Sequence, residues 1–160
     1  MSKKLQGNGL WESSRMMLPQ HKEQSMSALP QTAPPTKKEF EMMRKSIILP
    51  VVLNIVEKKS IEVEMSSQTL KPLYSAAAKV LANTIRADVQ QSKKDLVERN
   101  IRVFEDGKDD SLLYYRYVCR GHKDRFMMTK DFMRDEISMQ IGVYAKNLIA
   151  ALQKLVNNNR

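Results

Sequence analysis

Apolar side chains recur at helical spacing along three long stretches of the chain. The first such face covers residues 40–56, and Thr36 followed by Glu39 forms the pattern of a capping box just before it. Pro50 lies inside this stretch and lacks a backbone donor, so we expect the helix to kink or restart near Leu49.

The period changes after the first helix. Residues 61–65 alternate between apolar side chains and glutamates, which predicts a short edge strand. A second helical pattern covers residues 73–89, with Pro72 at an early helical position. Residues 92–99 either continue this helix or form a separate one, and Asn100 is the predicted stop. The side chains available to cap the second helix are Ser66, Ser67 and Thr69.

The clearest β pattern follows the second helix. Apolar residues alternate over 101–104 and 112–119, and the Asp-Gly pair at 106–107 between them is typical of a turn. Residues 108–111 also belong to the connection, so the predicted loop is longer than a two-residue turn. A Gly-His pair at 121–122 predicts a second turn, and residues 125–129 a third strand. These elements together predict an antiparallel meander.

Alternation along the middle strand separates the two sides of this sheet. One side carries Tyr115, Tyr117 and Cys119, and the other carries Tyr114, Arg116, Val118 and Arg120. We therefore expect one face to present aromatic and basic groups together.

A third helical stripe covers residues 133–155, with Thr129 as its predicted N-cap. The predicted fold class is α+β, with about three long helices packed on a small antiparallel β-meander. We expect a single domain over residues 37–156, preceded by a flexible N-terminal segment over residues 1–23 and a linker rich in Pro, Ser and Gln over residues 24–36. Residues 157–160 are expected to fray.

Composition and charge exclude several classes of protein. The apolar fraction of 42% and the charged fraction of 28% are typical of a folded domain. A single cysteine excludes an internal disulfide and a cysteine-based zinc site, and no apolar run suits a membrane span or a secretory signal, which predicts a cytoplasmic location. The net charge of +9 is spread along the chain, so a nucleic-acid surface requires that folding gather cations on one face.

Residues suited to catalysis are scarce. His21 and His122 lack the paired spacing of metal ligands. Cys119 has Arg116 and Arg120 as basic neighbours, but no nucleophile motif surrounds it. We therefore expect no catalysis, metal or cofactor.

The segment at 7–23 concentrates residues typical of recognition. Trp11, Arg15 and Leu18 are spaced i, i+4, i+7, which places them on one face of a helical turn. Two hypotheses follow: the segment docks a partner protein, or it packs on its own domain. The predicted partner-binding residues are Trp11, Arg15, Met16, Met17, Leu18, Pro19 and His21.

The same segment resembles a known family. Gly7, Asn8, Trp11, the Met-Met-Leu-Pro run at 16–19 and the following His21 resemble the opening motif of the YolD-like family, small proteins of Gram-positive bacteria and their mobile elements. The resemblance implies an accessory of an error-prone, Y-family DNA polymerase in translesion synthesis during the bacterial DNA-damage (SOS) response, as a counterpart of UmuD. It implies no catalytic residue. The similarity covers about residues 5–25, beyond which the family has a short β-rich domain.

A second candidate site is the strand and turn over residues 116–125. Four cations face one acid there, with tyrosines just upstream, an arrangement that can hold phosphates and stack bases. The alternative is an ordinary exposed strand whose tyrosines cover the helices. The predicted nucleic-acid-binding residues are Tyr115, Arg116, Tyr117, Arg120, Lys123 and Arg125.

Three functions are compatible with these patterns. The first is a non-catalytic accessory protein that docks a partner through its N-terminal segment. The second is a basic DNA-binding regulator of winged-helix type, with the β-hairpin as its wing. The third is a homo-oligomer built on the wide apolar face of the first helix.

Overall fold

The computed structural model describes residues 33–160. Its elements are helix α1 (Lys37–Met65), helix α2 (Lys71–Glu98), strands β1 (Ile101–Lys108), β2 (Leu112–Cys119) and β3 (His122–Thr129), and helix α3 (Lys130–Asn158). The sheet is antiparallel in the order β1-β2-β3. The predicted α+β class, with three long helices and a β-meander, is therefore confirmed. The N-terminal segment and most of the linker lie outside the described residues.

Helix α1 begins with the capping box that the sequence predicts. The Thr36 hydroxyl accepts a hydrogen bond from the backbone N–H of Glu39 at 3.2 Å, and the Glu39 carboxylate accepts one from the backbone N–H of Thr36 at 2.8 Å. Each side chain thus satisfies a backbone donor that the first helical turn leaves free.

Two features of α1 differ from what the sequence indicates. Of the two outcomes expected at Pro50, the restart is wrong: the helix continues through the proline, and Leu49 and Val52 on either side of it are both fully buried in the core. Residues 58–65 are helical rather than an edge strand. The neighbouring α2 explains this, since ion pairs from Glu57 and Glu64 of α1 reach across to it and hold the two helices side by side.

The predicted capping residues of α2 are wrong, whereas the predicted stop at its C-terminal end is confirmed. Pro72 lies in the first turn, but the N-cap is Leu70, which makes no side-chain capping bond. None of the predicted caps Ser66, Ser67 and Thr69 serves this helix, and the Ser66 hydroxyl instead donates to the Val63 carbonyl at the end of α1. Residues 92–98 continue the helix, and Asn100 follows its end with a left-handed φ of 54°, as expected of a stop.

The Asp-Gly pair at 106–107 does not form the predicted turn. It lies inside β1 as a β-bulge, where the register shifts between Glu105 and Gly107 and Gly107 takes a φ of 143°. The turn comes later because the Asp109 carboxylate accepts hydrogen bonds from the backbone N–H groups of Ser111 and Leu112. An aspartate that accepts hydrogen bonds from the backbone two and three residues further on stabilises a turn, so the chain turns after Asp109 rather than at Gly107.

The second hairpin turns at Arg120 and Gly121, one residue earlier than predicted. Both residues have positive φ, 48° and 87°, as in the two-residue turns that match the twist of paired strands. Strand β3 therefore begins at His122 rather than at residue 125.

The core has a helical part and a part between the sheet and the start of α1. In the helical part, Tyr144 of α3 donates a hydrogen bond of 2.5 Å to Asp88 of α2. The buried residues there are Ile48, Leu49, Val52, Val56, Ala82, Ile85, Val89 and Tyr144. Most of the wide apolar face of α1 is thus used within the chain.

The sheet-side core confirms the predicted alternation along β2. Tyr115, Tyr117 and Cys119 are all buried, and they face the start of α1. Phe40 meets the Tyr117 ring edge-on at 5.5 Å between centroids and the Phe126 ring at 6.2 Å, a favoured aromatic geometry. These contacts fix which face of the sheet is turned away from the helices.

One buried ion pair joins α1 to the β2–β3 turn. Glu39 is only 5% exposed, and its carboxylate accepts hydrogen bonds from both terminal nitrogens of the Arg120 guanidinium, at 2.6 and 3.2 Å. Hydrogen bonding to Arg120 is the main cause that lowers the pKa of Glu39 from 4.5 to about 2, against the opposing effect of burial. The charged form of Glu39 is therefore the one that stabilises the fold.

We expect Glu39→Gln to lower the free energy of unfolding at pH 7 by about 2 kcal/mol, because it leaves Arg120 without its carboxylate. Glutamine still suits the capping box, so the change isolates the ion pair. Because the folded-state pKa lies below the unfolded one, this stability is present above pH 4.5 and disappears as the pH falls towards 2. The wild-type protein and the variant should then converge.

Urea unfolding followed by far-UV circular dichroism at a series of pH values measures this difference. Glu41→Gln is the matched control, because Glu41 is exposed on the same helix two residues away and should change stability little. An equal loss in the two variants, or a difference that persists at pH 2, would contradict the role of the ion pair.

Candidate nucleic-acid interface

The outer face of the sheet follows from the strand register. With Tyr115, Tyr117 and Cys119 turned inward, the intervening residues of β2 face away from the helices. Arg116 lies opposite Phe104 of β1 and Arg125 of β3, and Val118 lies opposite Arg102 and Lys123. Directly paired residues share a face. The outer face therefore consists of two cross-strand rows, namely Phe104, Arg116 and Arg125, and Arg102, Val118 and Lys123.

Asp106 restrains the cations of the first row. Its carboxylate lies 2.9 Å from Nε of Arg116 and 3.6 Å from Nε of Arg125. Like charges directly opposite each other destabilise a sheet, so a carboxylate between the two arginines stabilises it. The arginines stay 55% and 76% exposed, whereas Asp106 is 24% exposed. Both guanidinium groups thus remain accessible to an anion.

The second row is less neutralised. Among residues 33–160, no carboxylate forms an ion pair with Arg102 or Lys123 within 4.0 Å. A shallow cavity of about 460 Å³ opens on this face, and its lining residues are Phe104, Arg116, Tyr117, Val118, Lys123, Asp124 and Arg125. Phe104 is 44% exposed. The cavity thus combines an open aromatic ring with three cations and one acidic residue.

Of the six residues predicted to bind nucleic acid, three lie on the outer face of the sheet and three do not. Arg116, Lys123 and Arg125 lie together on the outer face. Tyr115 and Tyr117 are 7% and 3% exposed and pack towards the helices, so they offer no ring face to a base. Arg120 is engaged by Glu39. For these three residues the structure supports the alternative, a strand whose tyrosines cover the helices.

Four residues of this face were not predicted as site residues. Arg102 and Phe104 alternate with the buried Ile101 and the partly buried Val103, so the alternation along β1 could have indicated them. Their place beside β2 depends on the strand register. Val118 and Asp106 were missed because a valine is a poor indicator of a site, and because Asp106 was assigned to a turn. The bulge is what turns Asp106 towards the arginines.

Cys119 and the possible metal ligands are the other candidates for chemistry among residues 33–160. Cys119 is fully buried, and burial raises the pKa of its thiol, which disfavours the nucleophilic thiolate. Within residues 33–160, no three His, Cys, Asp or Glu side chains come together as metal ligands would. The same part of the chain has no helix with the length and apolarity to span a membrane. The predicted partner-binding residues at 11–21 lie outside the described residues.

The architecture is that of a small α+β protein with a basic, partly aromatic sheet face. A family model described as YhjD protein matches residues 34–149, which is more than half of the chain. The chain therefore belongs to the YhjD family. The residues that resemble the YolD-like motif precede the start of this match.

One curated relative is similar along most of its length. It is a protein of Bacillus subtilis (strain 168) described as "Uncharacterized protein YhjD", 20% identical over 105 residues, which cover 66% of this chain and 88% of the relative. No solved structure matches the chain.

We expect Asp106→Asn to strengthen retention on heparin, a sulphated polyanion, because it releases Arg116 and Arg125 from their shared carboxylate. The salt concentration at elution measures this. Asp110→Asn is the matched control, because Asp110 is exposed in the β1–β2 loop and loses the same charge away from the arginines. The control should shift elution less. Equal shifts in the two variants would mean that net charge alone sets retention.

Proposed function

We propose that this protein is a non-catalytic binding protein that holds single-stranded nucleic acid on the outer face of its sheet. The observation that carries this is Phe104, an exposed aromatic ring placed by the strand register beside Arg116 and Arg125. Every base offers a π-face to such a ring, and the guanidinium groups of Arg116 and then Arg125, which follow Phe104 across the sheet, suit phosphates on one side of that base.

The shape of the site favours a single strand over a duplex. Stacking on Phe104 requires a base with a free face, which a paired and stacked base in a helix lacks. The two rows of the outer face place Arg102 and Lys123 next to the Phe104 row, so that a backbone running along the strands meets a cation in each row. Sequence preference should be weak, since the face offers a ring and charges and few hydrogen-bond acceptors.

The binding site in this proposal is the outer face of the sheet, whereas in the winged-helix hypothesis it is the β-hairpin. In the winged-helix hypothesis the hairpin reaches along duplex DNA beside a recognition helix. Here the helices contact the inner face of the sheet through Phe40 and the Glu39–Arg120 pair, and the cations lie on the opposite face. Duplex binding remains an outcome that the experiment distinguishes.

We expect the protein to bind a fluorescein-labelled oligothymidine with an affinity that falls as salt is raised. Phe104→Ala should weaken binding about tenfold, since a base–aromatic stack is worth about 1–3 kcal/mol. Arg116→Ala should also weaken it and reduce the salt dependence, because one phosphate contact is lost. Fluorescence anisotropy at several salt concentrations measures both effects.

Two matched controls accompany this titration. Arg134→Ala removes an exposed arginine of α3, and Phe132→Ala removes another partly exposed phenylalanine, 37% exposed; neither should change the affinity. Tighter binding of a duplex of the same length, or equal losses in Phe132→Ala and Phe104→Ala, would refute a stacking site on the sheet.

A second function is that of a partner-docking accessory. Two observations favour it: the resemblance of residues 5–25 to the YolD-like family, and the start of the YhjD family match at residue 34, which leaves the Trp11 segment outside the matched domain. By that resemblance the partner is a Y-family DNA polymerase. A single-strand site on the body and a polymerase-docking segment would act on the same template.

We expect Trp11→Ala combined with Leu18→Ala to abolish co-purification with a Y-family polymerase while leaving the thermal unfolding of the body unchanged, since the two side chains would anchor the partner rather than the fold. Ser13→Ala combined with Gln20→Ala is the control within the same segment and should retain the partner. A lower melting temperature in the Trp11 variant would instead indicate that the segment packs on its own domain.

A further inference from the structure

The second half of α3 has an apolar face that no other element within residues 33–160 covers. From Ile149 to the end of the chain every residue is exposed. Ile149, Leu152, Leu155 and Val156 are between 48% and 62% exposed. A depression of about 420 Å³ along this face is lined only by residues of α3 itself. The helix nevertheless continues to Asn158.

The apolar positions of this half-helix follow the spacing of a coiled-coil seam. Gly142, Ala145, Ile149, Leu152 and Val156 are separated alternately by three and four residues, which corresponds to positions a and d of a heptad. Leu148 and Leu155 fall at position g and widen the face on one side. A stripe of this width is typical of a helix that packs against other helices.

The charges of the same half-helix favour a second helix like itself. The only charged residues between Tyr144 and Asn159 are Lys146 and Lys154, and both lie outside positions a, d and g. An acidic partner would meet only these two cations, and two lysines attract an anionic lipid surface only weakly. A second copy of α3 does not depend on these cations, because it would contact the face through apolar side chains.

We infer that the protein forms a homodimer in which the second halves of two α3 helices pack antiparallel. In this arrangement Ile149 lies opposite Leu152 of the second copy, and the small Ala145 lies opposite Val156 of the second copy. The leucines at position g then face each other, and Lys146 faces the uncharged Gln153. No two lysines are brought together.

The net charge also supports the antiparallel direction. Each copy has a net charge of +9, and antiparallel helices place the two bodies at opposite ends, where their repulsion is weakest.

The hairpin formed by helices α1 and α2 supplies the additional apolar surface that a stable dimer needs. A standard interface buries about 800 Å² on each partner, more than a short helix pair provides alone. The end of the hairpin away from the sheet also exposes Ile61, Met65, Leu73 and Tyr74, which are 46% to 84% exposed. The second copy is placed to cover part of this surface together with α3.

Sedimentation equilibrium of the full chain tests the dimer. We expect the mass to rise from monomer to dimer as the concentration increases, and Leu152→Glu to raise the dissociation constant at least about tenfold, because a buried unpaired carboxylate is unfavourable. Asn147→Glu introduces the same charge on the opposite side of the helix and should leave the constant unchanged. Leu152 and Asn147 are both exposed in the monomer, so neither substitution should prevent folding. Far-UV circular dichroism and the melting temperature should confirm that each variant folds.

Disulfide formation between engineered cysteines tests the direction of the helices. A mixture of Ala145→Cys and Val156→Cys proteins should form a mixed disulfide under mild oxidation, whereas Ala145→Cys alone should not link to itself. The native Cys119 is buried, so it should not react under these conditions. Self-linking of Ala145→Cys would overturn the antiparallel arrangement.

A monomer at all concentrations would overturn the dimer. Hydrogen exchange would then show whether residues 149–156 are protected only when residues 1–32 are present, which would assign this face to the chain's own N-terminal segment. Sedimentation of the protein with anionic vesicles, lost in Leu152→Glu, would assign it to a lipid surface instead.

Discussion

The carboxylate of Glu39 is the point at which the helical and sheet parts of this protein meet. It belongs to the capping box that begins α1, and it accepts two hydrogen bonds from the Arg120 guanidinium at the β2–β3 turn. Arg120 has a left-handed φ there, so the tight hairpin aims its side chain at the helix. With Phe40 packed on Tyr117 beside this pair, the sheet has one buried face, and the opposite face is left to solvent.

The composition of that solvent face follows from period and register. Once the tyrosines of β2 turn inward, Arg116 and Val118 must turn outward, and the antiparallel pairing brings basic residues from β1 and β3 beside them. The bulge at 106–107 then places one carboxylate between two arginines. The result is a basic face that is partly neutralised by its own acid, so an anionic ligand would compete with Asp106 for the same guanidinium groups.

The helical part differs from the sheet in how completely it buries its apolar surface. Helices α1 and α2 pair along their length, while α3 joins them through residues 133–144 and then leaves its second half exposed. Such exposed apolar surface on a folded body usually marks an interaction site. The proposed dimer seam and the sheet face lie on different elements, so self-association and nucleic-acid binding do not compete for the same residues.

Long periodic patterns made most of the fold predictable. The three helices, the capping box at Thr36 and the inward side of β2 follow from spacings of 3.6 and 2 residues that persist over many positions. The failures were local. Residues 58–65 alternate like a strand, but ion pairs to α2 and continuity with α1 make them helical. The Asp-Gly pair resembles a turn, but the Asp109 carboxylate forms the turn further on.

The sequence by itself determined the fold class, the basic charge and the partition of β2 into a buried and an exposed side, because each depends on residues close together in the chain. Only the tertiary structure decided that Arg120 is bound to Glu39, 81 positions away, and that Arg102 and Phe104 lie beside Arg116. It also decided that the second half of α3 stays exposed among the described residues, 33–160. These facts depend on strand register and helix packing, which the whole set of long-range contacts sets together.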